Sequence, residues 1–143
     1  MYASLLIGVI VGLATGLWMW TEFALGLHTA STDIGRFTGF LSIVFPIAGL
    51  VMSLRRSRAR DGQLTFRSGV PHVLAVCVGA AAASVPMSTI YIMWLNSSWL
   101  SKVGMTAGEF VAQGAVAALV GGVFVGMIVL AFLRTRPSKV AMP

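Results

Sequence analysis

Residues 110–133 read FVAQGAVAALVGGVFVGMIVLAFL, 24 positions without a charged residue. A helix rises about 1.5 Å per residue, so this run is about 36 Å long. The hydrocarbon core of a bilayer is about 30 Å thick. A surface helix of a soluble domain carries a charged or polar face; this run has only Gln113 to offer. It predicts a helix that crosses a membrane, and the rest of the chain is read outward from it.

Three further stretches have the same character. Ala3 to Phe23 has no charge before Glu22, Phe37 to Leu54 is the second, and the third lies within Val70 to Leu95. The expected helices cover residues 3–25, 35–57, 68–96 and 107–134 of a single domain, 1–143. Barrel strands alternate over about ten residues; these runs are continuous, so helices are expected. Met1 to Leu6 has no Lys or Arg, the apolar run is too long for a signal core, and His28-Thr29-Ala30 is a poor cleavage site, so the first helix is read as retained. Only 10% of residues are charged, against about 25% in soluble domains. A hydrophobic share of 57% excludes disorder as well.

Positive charge orients membrane helices. Arg55, Arg56, Arg58, Arg60 and Arg67 fall between spans two and three, and Arg134, Arg136 and Lys139 follow span four. Only Arg36 and Lys102 lie in the other connections. Trp18, Trp20, Trp94 and Trp99 collect at the opposite end, where indoles prefer the interface. The expectation is an all-α, polytopic, antiparallel four-transmembrane-helix bundle with both termini inside (N-in/C-in), in a bacterial inner, cytoplasmic membrane.

Lipid gives helices no hydrophobic reason to associate, so small residues that permit close approach matter. Ser4, Gly8, Gly12 and Gly16 recur every four residues in span one, as do Gly114, Ala118, Gly122 and Gly126 in span four. Residues four apart share a helix face. The two ribbons predict that helices one and four pack against each other, antiparallel. The alternative is that each ribbon meets a separate neighbour. Span three is thin at Gly79-Ala80-Ala81-Ala82-Ala83-Ser84. Pro46 and Pro86 fall inside spans two and three and predict kinks.

Ionisable groups inside a membrane are costly, which makes the few present informative. Glu22, Asp33, Arg36, Glu109 and Gln113 all fall toward the outer side. Glu22, Arg36, Glu109 and Gln113 form a possible polar site for proton or cation coupling; the alternative is an interfacial ion pair with acids at helix N-termini. Ser42, Ser84, Ser88, Thr89 and Tyr91 could line a pathway or bond within their own helices. His28 and His72 should lie on opposite membrane faces, and neither has a second ligand at metal spacing, so no metal site and no catalytic residue is expected. Cys77, the single cysteine, excludes an internal disulfide.

The connection after span two runs RRSRARDGQLTFR, residues 55–67. Asp61-Gly62 is a turn signal, and Thr65 is placed to cap the next helix. The arginines Arg55, Arg56, Arg58, Arg60 and Arg67 attract anionic lipid at roughly 1 kcal/mol each. Nucleic-acid binding would want stacking aromatics beside them, and only Phe66 is present.

Gly62-Gln63-Leu64-Thr65-Phe66, followed by Gly69, resembles the central hairpin of an uncharacterised bacterial family of short four-helix inner-membrane proteins, a domain of unknown function. The layout is similar over nearly the whole chain. Gln63 stands where that family is often basic, and the connection 101–108 is shorter than its usual polar one. The resemblance implies the four-span topology and supplies no catalytic residue, cofactor or substrate. With no cofactor expected, the favoured function is a non-enzymatic accessory subunit packed among other membrane protein subunits. The alternative is a small-solute or cation transporter using the outer acids.

Overall fold

The computed structural model describes residues 1–29 and 32–135, without the side chains at positions 32, 33, 35, 36, 99, 102 and 103. The side chains of Asp33, Arg36, Trp99 and Lys102, and the whole of Arg136 and Lys139, lie outside the described part.

The apolar runs form α1 (Tyr2–Ala24), α3 (Val44–Asp61), α4 (Phe66–Ile90) and α6 (Ala107–Leu133), with α2 (Thr32–Leu41) before α3 and α5 (Ser97–Val103) before α6. A π-helical turn, Tyr91–Leu95, extends α4. No strand occurs among the described residues. Four segments are long and apolar enough to cross a membrane: Tyr2–Ala24, Phe37–Asp61, Phe66–Leu95 and Ala107–Leu133. The second outlasts the expected end at residue 57. Arginine is a good helix former, and α3 stops only at Gly62, whose φ of 72° is the left-handed cap glycine tolerates.

The second span breaks at Ser42–Ile43. Pro46 explains the place: its ring clashes with the carbonyl four residues back, that of Ser42, and it has no N–H to donate there. The Ser42 carbonyl accepts instead from Phe45 N–H at 3.2 Å. Pro86 leaves α4 unbroken.

The helices pack around α4. A Cβ placed on Gly8 would lie on the Val76 carbonyl; on Gly12 it would lie 2.5 Å from the Ala80 carbonyl oxygen and 2.8 Å from Ala83 Cβ; on Gly16, 2.6 Å from Met87 Cβ. Gly79 answers from α4, facing the Leu5 carbonyl. The ribbon of α1 thus rests on the Gly/Ala stretch of α4, with residue numbers rising together. On another side of α4, Gly122 faces Cys77, and Gly126 faces Val73 of α4 and Leu50 of α3. The expected pairing of spans one and four, α1 and α6, is corrected: each ribbon meets the third span, α4. The physical reason lies in α4 itself, thin enough at residues 79–84 to admit one backbone and carrying Val73 and Cys77 against the other. Ile7, Val11, Leu50, Leu54, Val73, Val76 and Leu130 form the buried core toward the arginine end.

The hairpin between α3 and α4 is fixed residue by residue. Leu64 is fully buried within that core. Thr65 Oγ1 accepts from Ser68 N–H while Ser68 Oγ accepts from Thr65 N–H, a reciprocal cap on α4. Gly69 admits the Leu130 side chain. The end of α6 is tied to the same hairpin: Thr135 N–H donates to the Leu64 carbonyl at 2.8 Å, and Leu64 N–H donates to Thr135 Oγ1 at 3.0 Å. The Arg134 guanidinium sits 5.1 Å over the Phe66 ring.

Candidate functional site

Two buried polar clusters lie at opposite ends of the bundle. At the arginine end, Ser53 Oγ donates to Ser4 Oγ at 2.9 Å, and Ser4 Oγ lies 2.7 Å from His72 Nδ1. This chain ties α3, α1 and α4 together, and Ser4, Ser53 and His72 are all buried. Ser53 Oγ, Ser4 Oγ and His72 Nδ1 are bonded to one another inside the protein, which makes the cluster an interhelical clamp.

At the tryptophan end the cluster is built by a turn. Gly26, at φ 76°, closes α1: Leu27 N–H donates to the Glu22 carbonyl and Gly26 N–H to that of Phe23, the paired bonds of a Schellman motif. The turn carries His28 back over the last turn of α1. Its Nδ1 lies 2.6 Å from the Tyr91 hydroxyl, which accepts from Asn96 Nδ2 at 2.8 Å. Tyr91 opens the π-helical turn, and Asn96 N–H closes it on the Tyr91 carbonyl. Such turns recur at functional sites. Phe23 meets the Tyr91 ring edge-on and Phe110 stacks on it. In the tautomer that satisfies all three groups, Tyr91 donates to Nδ1 and the ring hydrogen of His28 stays on Nε2. That nitrogen faces Glu22 Oε2 at 3.6 Å, an electrostatic contact longer than a hydrogen bond.

Glu22 is only 4% exposed. Its Oε1 is fully buried and has no hydrogen-bond partner among the described residues. The same residue lines a cavity of about 580 Å³ that descends between α1, the α2–α3 break, α4 and α6. Its wall is mainly apolar, with Thr15, Ser42, Ser84 and Ser88 as hydroxyl-bearing members. From α6 it takes Gly114, Ala117, Ala118, Gly121 and Gly122, so the upper half of that ribbon leaves room instead of filling it. A Cβ on Gly121 would meet nothing within 4 Å.

Among the described residues, Glu109 and Gln113 are not brought to Glu22. Glu109 turns back to cap α6: its Oε2 accepts from Thr106 N–H at 2.7 Å and from Thr106 Oγ1 at 2.8 Å. Glu109 and Gln113 are exposed and neither lines the cavity. Of the four residues Glu22, Arg36, Glu109 and Gln113, Glu22 alone is placed at it, the Arg36 side chain lying outside the described part. No group of three His, Cys, Asp or Glu suited to a metal occurs among the described residues. Arg55, Arg56, Arg58, Arg60 and Arg67 are exposed, and Arg60 Nε pairs with Asp61 Oδ1 at 2.8 Å.

The profile of the family described as "Protein of unknown function (DUF4199)" matches residues 6–109. The chain belongs to the DUF4199 family. The matched stretch holds Glu22, His28, Tyr91 and the hairpin at 62–69, so both the tryptophan-end cluster and the α3–α4 turn lie within the DUF4199 region; most of α6 lies beyond it. No curated protein and no solved structure matches the chain.

Proposed function

We propose that this DUF4199 protein is a non-enzymatic, multi-pass protein of a bacterial inner membrane that takes a small solute into the cavity beside Glu22. Its spans alternate in direction, both termini and the arginine end facing the cytoplasm, where the arginines draw anionic lipid. The observation that carries the solute reading is the Glu22 carboxylate, buried at a cavity with one oxygen unpartnered. Leaving a buried polar group unsatisfied costs about 1–3 kcal/mol, and more when it is charged. A membrane segment keeps such a group where a ligand offsets that cost. The break at Ser42–Ile43 borders the cavity and gives its wall a joint, which suits a carrier.

Ala118→Cys in a Cys77→Ser background tests this reading. The new thiol should react with a membrane-impermeant reagent added outside, and Phe124→Cys, on an exposed face of the same helix, should not. Equal silence at both positions overturns the reading.

A second reading, the accessory subunit, is favoured by Val116, Val120, Phe124, Ile128 and Phe132, an exposed apolar ridge on α6 with four-residue spacing. Such a ridge fits another membrane protein subunit. A membrane protein that co-purifies stoichiometrically after mild extraction and is released by Phe124→Ala supports it; a solitary chain contradicts it.

A further inference from the structure

The cavity wall has a chemical polarity of its own. Thr15 Oγ1 donates to the Val11 carbonyl at 2.9 Å, Ser42 Oγ to Gly39 at 2.7 Å, and Ser84 Oγ to Ala81 at 2.8 Å. The Trp18 indole N–H donates to the Thr38 carbonyl at 3.3 Å. These lining groups have their hydrogens engaged within the protein, while each hydroxyl oxygen keeps acceptor capacity. No Lys or Arg is among the described lining residues, and the single charged one is Glu22. Ser88, the remaining lining hydroxyl, has no such bond among the described residues; apart from it the wall offers acceptors and one buried carboxylate, and the occupant that matches these brings N–H donors and positive charge.

Shape narrows the class further. The lining runs along α1 from Val11 to Glu22, twelve residues whose eleven steps of rise span about 16 Å of helix. Glu22 stands at one end of it, and Val11, Gly12, Ala80 and Val125 at the other. A volume of about 580 Å³ falls in the usual range for small-ligand sites. A long, mainly apolar space with a carboxylate at one end fits an amphiphile whose head is the charged part.

Building on the solute reading above, we infer that the cavity takes a lipophilic primary ammonium, with its head at Glu22 and its alkyl body lying along the small-residue face of α6. Glu22 lines the cavity while its Oε1 is covered, so the head reaches that oxygen when the carboxylate rotates toward the cavity, and gives it a charge-assisted hydrogen bond. The body lies in apolar contact beside Ala118 and Gly121, which line the cavity.

Native mass spectrometry of the full chain in mild detergent tests this with decylamine, decyltrimethylammonium, decanol and decanoate. Wild type should bind one decylammonium at least tenfold more tightly than any of the other three. That selectivity is read on wild type and needs no variant. Glu22→Gln should weaken decylammonium at least tenfold, and Ala118→Phe, which fills the cavity, should abolish it. Decanol binding as well as decylamine overturns the ammonium assignment, as does undiminished binding to Glu22→Gln. If decanol binds and Ala118→Phe removes it, the cavity still takes solutes and only the ligand class is wrong. If no probe binds in a manner sensitive to Ala118→Phe, both readings fall.

Discussion

Gly12→Ala adds one methyl group where α1 touches α4. The new Cβ would stand 2.5 Å from the Ala80 carbonyl oxygen and 2.8 Å from Ala83 Cβ, whereas ordinary contact begins near 3.4 Å. One of these neighbours is backbone, so no rotamer change relieves the overlap, and the helices must part by about 0.9 Å; a radial gap of about 0.5–1 Å already forfeits a quarter to a half of each dispersion contact across it. Ile7, Val11, Val76, Ala80, Ala83 and Met87 are the buried side chains nearest this seam. Overpacking of this kind costs about 1–3 kcal/mol. Gly121→Ala is the counterpart: its Cβ meets nothing within 4 Å, and the gain in helix propensity is up to about 1 kcal/mol. Reversible unfolding of each purified variant in mixed micelles should give a clear loss for Gly12→Ala and none for Gly121→Ala. Equal stabilities would refute the close backbone contact of α1 with α4.

Two further substitutions probe the ends of the bundle. Leu64→Ala empties a fully buried site within the core and should cost about 2–5 kcal/mol, read by the same unfolding titration; a loss below 1 kcal/mol, the lower end of that range halved, would place Leu64 outside the core. Tyr91→Phe keeps the stacked ring and removes the hydroxyl between His28 and Asn96. It should lower stability by about 1–3 kcal/mol, the cost of the buried Asn96 amide and the part-buried His28 ring losing a partner, and should raise amide-proton exchange in the turn at 25–29. Unchanged exchange there would show that the hydroxyl does not hold His28.

The spans were legible because a charge-free run of membrane-crossing length has few other uses. Gly62 and Thr65 were legible for a similar reason: a left-handed cap and an extended N-cap are local demands answered by local residue types. The partner of each glycine ribbon was not legible. Gly8 and Gly122 both announce close approach, yet what approaches depends on the opposing surface, and the Gly79–Ser84 stretch that receives α1 reads as small without saying for whom. The Glu22 site was half legible. The acid stood out as a charge in an apolar run, but His28 joins it through a turn at Gly26, and Tyr91 comes from a helix 63 positions away from His28. Glu109 could be read as a companion to Glu22 or as an acid at a helix N-terminus. The Thr106-to-Glu109 spacing is the local signal that it is a cap instead.

The arrangement on which the rest depends is α4 held between α1 and α6, and Cys77 offers a direct probe of it. A Cβ on Gly122 would lie 3.7 Å from Cys77 Cβ and 2.9 Å from its Sγ. Disulfides join Cβ atoms about 3.5–4.5 Å apart, so Gly122→Cys should cross-link to the native Cys77 under mild oxidation. Intact mass spectrometry of the monomer should show the loss of two hydrogens, reversed by reductant. Gly121→Cys, one position round the helix with no neighbour within 4 Å, should remain free. Free thiols at both Cys77 and the introduced residue in Gly122→Cys, or a link formed as readily from Gly121→Cys, would contradict the packing of α6 on α4.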